Sequence, residues 1–294
     1  MSKIKVFVTG ASSEIIQDFI SICDPSEYHF YCLTRQSGFK NYSNITWVFG
    51  DLLNINSYSN ELISCDLIIH AAAITHSFTE EPYFEVNFKA TQKLVDLFAQ
   101  FPEKKFVFIS SRTASIESGA YGESKFLAEN YIKQKLANWL IIRPSEVFGT
   151  TKNEAIAQLI QDASQKKIML CPVGMKSAMF PIFVNDLNQL MYEAIFIKKL
   201  NQEILHLNGN ESFTFYSLIT LVNKILGNKT LIIPIPKIGM YCIAFLLKLF
   251  KINVGVMPDQ IPRLYSSKQH STIDFKFFTI ETFIKKHFSK TENH

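Results

Sequence analysis

Apolar residues come in short continuous runs through the first half of the chain. These runs fall at 3–9, 28–34, 45–49, 66–69, 104–110 and 139–144. Each has strand length, and none shows the strict alternation of a sheet with one wet face. Between them the apolar positions recur at helical spacing, most clearly over 84–99 and 121–136. Strands buried on both faces and alternating with helices predict an α/β fold, a doubly wound parallel sheet of Rossmann type. After about residue 150 the pattern loosens. Helices are predicted over 153–164, 186–198 and 214–226, and short strands near 181–184, 203–207 and 230–233. The strand near 203–207 is expected to cross back as the seventh of the sheet. The domains are therefore read as 1–150, a Rossmann domain, and 151–294, a smaller mixed C-terminal domain with some segments returning to the first.

Composition narrows the function classes. The 294 residues are 47% hydrophobic and 19% charged, enough for a substantial core. The net charge of +4 is too mild to imply nucleic acid, and no Lys/Arg stripe is present. Cysteines 23, 32, 65, 171 and 242 form no close pair, so neither a zinc site nor a disulfide framework is expected. The start "MSKIKVFVTG" runs straight into a strand and leaves no room for a signal peptide, so a cytoplasmic protein is expected. Ile238 to Leu247 is an apolar stretch between Lys237 and Lys248. Its helix would rise about 15 Å, whereas spanning a bilayer needs about 20 residues. A buried or partly exposed helix is the first reading, and membrane-surface contact through 238–250 the second.

Ligands of doubly wound sheets bind at the carboxyl ends of the strands. Gly10, Arg35, Asp51, Ala71 and Ser111 all fall just past predicted strand ends. The first turn, "TGASSEII", places Gly10, Ser12, Ser13, Glu14 and Ile15 where a helix N-terminus would face a pyrophosphate. Only Gly10 fits the glycine fingerprint of that turn. Ser13 and Ile16 stand at the next two glycine positions. Ser13 can still cap the helix and expose its N–H, Ile16 should hold the helix slightly off the sheet, and Glu14 must point away from phosphate. Arg35 suits a ribose 2′-phosphate where an acid would suit the hydroxyl, so NADP(H) is expected ahead of NAD(H). Asp51, with Leu52, could receive adenine or cap a helix. Ala71, Ala72 and Ala73 are small enough for backbone to approach a cofactor closely.

Tyr121 and Lys125 lie four apart in "YGESK", on one face of a helix. A lysine beside a tyrosine lowers the cost of the phenolate, which lets Tyr121 exchange a proton with a carbonyl or alcohol. Ser111, at the end of "FISS", could orient the same oxygen. Lys125 could also hold a nicotinamide ribose.

The strand series, "VFVTGASS", "GDLLN", "DLIIHAAA", "VNFKATQKLVDLF", "KFVFISS", "YGESKFLAE" and "IIRPSEVFG" together resemble the extended short-chain dehydrogenase/reductase superfamily, in its nucleotide-sugar epimerase/dehydratase branch. The resemblance covers nearly the whole chain. It implies Ser111, Tyr121 and Lys125 as catalytic residues. It implies Asn87, Ser110 and Pro144 at the cofactor, and Ser111, Arg112, Ser145, Glu146, Val147, Phe148 and Arg263 at the sugar nucleotide, with Val184 to Asp186 at the rim. Lys152 and Lys176 are further candidates for the diphosphate. Two departures stand out besides the first turn. Only nine residues separate Ser111 from Tyr121, which implies a more open sugar pocket. The arginine often found near 179 is replaced by the run Ala178, Met179, Phe180. The C-terminal segments "LIIPIPKIGMYCIAFLLKLF" and "IPRLYSSKQHSTIDFKF" resemble enzymes of UDP-linked N-acetylhexosamines. The resemblance thus implies an NAD(P)-dependent 4-ketoreductase in surface-polysaccharide synthesis, with a 4-epimerase as alternative, and is compatible with a homodimer. The eroded first turn keeps a non-catalytic nucleotide-binding or scaffold protein on the same fold as a further alternative.

Overall fold

The computed structural model describes residues 2–37, 42–150, 155–249 and 260–288. The chain opens with β1 (Ile4–Thr9), α1 (Glu14–Ile22), β2 (Tyr28–Thr34), β3 (Ile45–Phe49), α2 (Ser59–Ile63) and β4 (Leu67–His70). A π-helical turn over Tyr83–Lys89 leads into α3 (Ala90–Phe98), then β5 (Lys105–Ile109), α4 (Gly119–Lys135) and β6 (Trp139–Pro144). Next come β7 (Val147–Phe148), α5 (Ala155–Gln165), β8 (Ile168–Pro172), β9 (Ile182–Phe183) and α6 (Val184–Tyr192), which widens into a π-helical turn over Glu193–Ile197. The remainder is β10 (Glu203–Leu207), α7 (Phe215–Leu226), β11 (Leu231–Ile235), α8 (Lys237–Leu249), α9 (Gln260–Tyr265) and α10 (Ile280–Phe288).

Seven strands form one sheet in the order β10-β6-β5-β4-β1-β2-β3. The first six pair in parallel. Gln202 N–H donates to the Trp139 carbonyl at 2.7 Å and Ser145 N–H to the Leu207 carbonyl at 2.9 Å, so β10 also runs parallel to β6. All four residues of β4 are buried, as are Val6 to Thr9 of β1 and Trp139 to Ile142 of β6. Burial on both faces is what removes alternation from these strands. The edge strand β3 leaves Phe49 exposed.

The chain divides into two units: 1–143 with 188–206, and 144–187 with 207–294. The first holds the body of the sheet. The second pairs β8 with β11 and β7 with β9, both in parallel. Its core gathers Phe148, Ile160, Met169, Leu218, Val222 and Ile284 from several elements. α7 is bounded by a capping box between Thr214 and Ser217 and by Gly227 in the left-handed region at its C-terminus. The predicted helices over 186–198 and 214–226 and the strands near 203–207 and 230–233 are present; residues 153 and 154 of the helix predicted from 153 lie outside the described residues. β8 and α10 were not expected. All five cysteines are free.

Candidate active site

The first strand turn is built around Gly10, whose φ is +73°. A Cβ there would meet the Ala72 nitrogen at 2.6 Å and the Ala71 carbonyl carbon at 2.8 Å. Glycine is thus required twice, by backbone conformation and by the approach of the 71–72 backbone. Ser13 caps α1, its hydroxyl accepting from Ile16 N–H at 3.3 Å. Its own N–H differs from expectation: it donates to the Gly10 carbonyl at 3.0 Å and closes the turn. Glu14 and Ile15 are the first helical residues of α1, so their N–H groups belong to its N-terminus. Ile16 points into the core.

Arg35 and Asp51, at the ends of β2 and β3, stand side by side. Arg35 Nη1 lies 3.9 Å from Asp51 Oδ2, and both side chains are largely exposed. Asp51 also accepts from Leu53 N–H at 2.9 Å, so it organises the loop after β3 as well as facing Arg35. Leu52 is half-buried, and its carbonyl accepts the Tyr58 hydroxyl at 2.9 Å.

The loop after β4 is held from two sides, by Thr9 of β1 and by Asn87 of the π-helical turn. Ala71 N–H bonds the Thr9 carbonyl at 3.2 Å and Ala72 N–H the Thr9 hydroxyl at 3.2 Å. The Asn87 amide accepts from Ile74 N–H at 2.8 Å and donates to the Ile74 carbonyl at 3.0 Å and to Ser124 Oγ at 3.2 Å. Asn87 is fully buried within the π-helical turn, a deformation frequent at functional sites. Its amide is occupied in joining the 71–74 loop to α4, so it is placed as a support for the loop and not as a group presented to a ligand. Sequence reasoning had placed it at the cofactor.

Beneath this loop runs a buried hydrogen-bond chain that the sequence did not announce. Thr91 donates to the Asn87 carbonyl at 2.8 Å, so its oxygen accepts from His70 Nε2–H at 2.8 Å. His70 Nδ1 then accepts from the Thr9 hydroxyl at 2.6 Å, whose oxygen receives Ala72 N–H. Every donor has one acceptor, which fixes the tautomer. Burial, with the Lys125 charge adding to it, pushes His70 down to about 3, so the ring is neutral.

Around the ends of β5 and β6 the charged groups are interior. Lys125 Nζ donates to the Ile109 carbonyl at 2.9 Å and lies 4.5 Å from the centre of the Phe108 ring. Burial lowers its pKa to about 7, against the opposing effect of Glu129. Glu129, one turn further along α4, is fully buried. It accepts from Arg143 Nε at 2.8 Å and Nη2 at 2.5 Å, a two-pronged pairing, and from the Ser110 hydroxyl at 2.5 Å. The Ser110 hydroxyl is therefore turned inward to Glu129, away from the cofactor role read for it. Neither Glu129 nor Arg143 was singled out from sequence. The signal was present in the four-residue spacing from Lys125 to Glu129, which puts both on one helical face.

Ser111 is half-buried. Its hydroxyl accepts from Thr113 N–H at 3.2 Å and meets Thr113 Oγ1 at 2.9 Å. The half-buried Tyr121 packs edge-on to Tyr83, ring centres 6.0 Å apart, and the Tyr83 hydroxyl is fixed by Ser77 N–H at 2.7 Å. Gly122 explains how so short a link joins Ser111 to Tyr121. A Cβ at Gly122 would lie 2.3 Å from Ser118 Cβ and 2.4 Å from the Thr113 carbonyl oxygen. The link therefore lies directly on α4. Arg112, within it, is buried.

In the second unit, Ser145 donates to the Phe180 carbonyl at 2.5 Å, and Glu146 Oε2 accepts from Phe180 N–H at 3.2 Å. Val147 and Phe148 pair with Ile182 and Phe183, and Phe148 is fully buried. Phe148 is thus a core residue and not part of a sugar-lining surface. Pro144 ends β6 half-buried. Met179, where an arginine was missed, is buried and bridges to Phe213. Phe180 stacks on His270, ring centres 4.3 Å apart, a contact the sequence did not suggest. Asp186 accepts from Phe278 N–H at 2.7 Å. Arg263 is half-buried on α9, Lys176 is exposed, and Lys152 lies outside the described residues.

A seven-stranded parallel sheet with this strand order is a doubly wound fold of Rossmann type, and Ser111, Tyr121 and Lys125 follow its fifth strand. The chain belongs to the NAD dependent epimerase/dehydratase family, whose model matches residues 6–198. Among curated relatives, the mitochondrial NADH-ubiquinone oxidoreductase 40 kDa subunit of Neurospora crassa is 19% identical over 188 residues, covering 64% of this chain. The chain spans 49%, about half, of that relative's length. Among solved structures, dTDP-4-dehydrorhamnose reductase from Bacillus anthracis, in complex with NADP, superposes with a TM-score of 0.64 at 18% identity over 80% of this chain and 85% of that one. UDP-N-acetylglucosamine 4-epimerase from Bacillus cereus gives 0.62 at 19% identity, over 80% and 86%. The Bordetella bronchiseptica enzyme WbmH, in complex with NAD+, gives 0.66 at 15% identity, over 80% and 86%. At these identities the likeness is one of fold.

Proposed function

We propose that the protein is an NADP(H)-dependent reductase of a nucleotide sugar, acting on the 4-keto group of a UDP-linked N-acetylhexosamine derivative. The observation that carries this reading is the grouping on the first unit of Ser111, Tyr121 and a buried Lys125 tied to the carbonyl of Ile109, two residues before Ser111. The residues fit a dinucleotide: Gly10 lets the first turn close against the Ala71–Ala72 backbone, which leaves the N-terminus of α1 beside small side chains where a pyrophosphate would sit. The bound nicotinamide would supply the hydride. Tyr121 gives its phenolic proton to the sugar oxygen, Ser111 donates a hydrogen bond to the same oxygen, and the Lys125 ammonium steadies the phenolate that remains. Arg263 and Lys176 are the candidates for the sugar's diphosphate. A mass-spectrometric turnover screen of UDP-sugars and their 4-keto-6-deoxy derivatives, with reduced and oxidised cofactors, tests the reading. Uptake of two hydrogens by a keto sugar with matching cofactor consumption supports it. An isomeric product without net consumption makes the protein an epimerase using the same residues. Absence of both dinucleotide binding and turnover leaves a nucleotide-free scaffold on this fold.

The cofactor preference rests on Arg35, and Asp51 opposes it. A ribose 2′-phosphate at Arg35 would meet the Asp51 carboxylate 3.9 Å from the same guanidinium. Arg35→Ala is expected to weaken NADP(H) roughly tenfold while sparing NAD(H), and Asp51→Asn to strengthen NADP(H) severalfold. Calorimetric titration of both cofactors decides. Tighter binding of NAD(H) by the unaltered protein overturns the preference.

A further inference from the structure

β8 and β11 form a two-stranded sheet whose outer face is apolar. Strand alternation sends Met169, Cys171 and Ile232 inward to the core of the second unit. The opposite positions are exposed, and the register pairs them as Ile168 with Leu231 and Leu170 with Ile233. Ile235, next on that same outer side, packs under α8, where a Cβ on Gly239 would meet its side chain at 2.9 Å. α8 therefore rises from the outer side of the sheet. It turns Met240 and Ala244 toward α9 and leaves a stripe of Ile238, Tyr241 and Phe245 outside, with Ile238 77% and Phe245 66% exposed. Contiguous apolar surface of this kind marks an interaction site.

The charges around it choose the partner. Residues 163–185 and 212–245, the segments that carry this face, contain six lysines and no Asp or Glu. Lys166 and Lys167 directly precede β8, Lys229 lies two residues before β11, and Lys237 opens α8; all four are exposed. Asp162, just outside these segments, takes up Lys166 alone, at 2.7 Å. A second copy docking face to face would bring lysines against lysines. A nucleic acid would meet an apolar centre. An anionic bilayer matches both parts, its acyl boundary taking the apolar residues and its headgroups the lysines. No described helix is long and apolar enough to cross a membrane.

We propose that the β8–β11–α8 face of the second unit docks the protein on anionic lipid. This stands independently of the reaction assigned above. The test is co-sedimentation of the full chain with vesicles of phosphatidylcholine alone, or mixed with phosphatidylglycerol, at low and high salt. The expected result is binding to the mixed vesicles only, weakened by salt. The pair Ile238→Ser and Phe245→Ser should reduce the bound fraction roughly tenfold, as should Lys167→Glu with Lys229→Glu. Both pairs lie on the surface, and both should keep the circular dichroism and dinucleotide affinity of the unaltered protein. The proposal is overturned if mixed vesicles do not bind the protein, or if neither pair changes the binding. It is equally overturned if the protein is a dimer that the Ile238/Phe245 pair dissolves and that ignores vesicles.

Discussion

Glu129→Ala is expected to cost about 3–5 kcal/mol of stability, the usual consequence of removing one partner of a buried ion pair. The Glu129 side chain is fully buried and that of Arg143 is 12% exposed, so water cannot replace the lost carboxylate. The change strands the Arg143 guanidinium and leaves the Ser110 hydroxyl without its acceptor. It also unties α4 from the ends of β5 and β6. Glu129→Gln keeps the side-chain volume and one oxygen to accept from Ser110 and Arg143 Nε, while removing the charge and the acceptor of Arg143 Nη2. Glu129 favours the Lys125 ammonium, so its loss must lower a pKa that already stands at about 7. The alkaline limb of the kcat profile should then move to lower pH in Glu129→Gln. The sign for stability follows from the same group. Folded Lys125 releases its proton near 7 and the unfolded residue near 10.5, so the unfolded chain binds more protons in between. Its destabilising contribution is full below about 7 and is relieved as pH rises toward 10.5. Denaturant titration and the kcat profile check both results. An unchanged midpoint in Glu129→Ala would show that the pair contributes no net stability.

Tyr121→Phe should lower kcat by about 10²–10⁴-fold and leave KM nearly unchanged, the scale typical of a lost acid/base group. The substitution removes one hydroxyl and keeps the ring, so packing against Tyr83 persists. Folding and dinucleotide affinity should match the unaltered protein, measured by circular dichroism and calorimetry. The experiment uses whichever sugar the turnover screen identifies. Full activity in the variant would remove Tyr121 from the proton transfer.

The sheet could be read from the chain because burial on both faces makes its strands continuously apolar, and even β10 was placed from its short apolar run. β8 was missed for a related reason. "IMLCP" has no polar position to mark its outer side, since Ile168 and Leu170 are exposed. The reading of α4 found Tyr121 and Lys125 but not Glu129. A charged residue in mid-helix ordinarily faces water, yet this helix buries Gly122, Ser124, Lys125 and Glu129. What local pattern cannot show is which acid a distant strand will neutralise, and Arg143 is fourteen residues away. The same limit hid His70. Its partners Thr9 and Thr91 come from 61 and 21 residues away, and only the assembled sheet brings them together.

The return of β10 beside β6 sets an order on synthesis. A nascent chain that has made β1 to β6 has every strand of the sheet except the one covering the β6 side. It must then translate the whole 145–202 excursion before Glu203–Leu207 can close that edge. Through this interval the backbone of Trp139–Ile142, an apolar strand, stays open to pairing with another chain. The stretch most exposed to misassembly on the ribosome is thus β6, and a fragment ended near residue 150 would carry that open edge permanently.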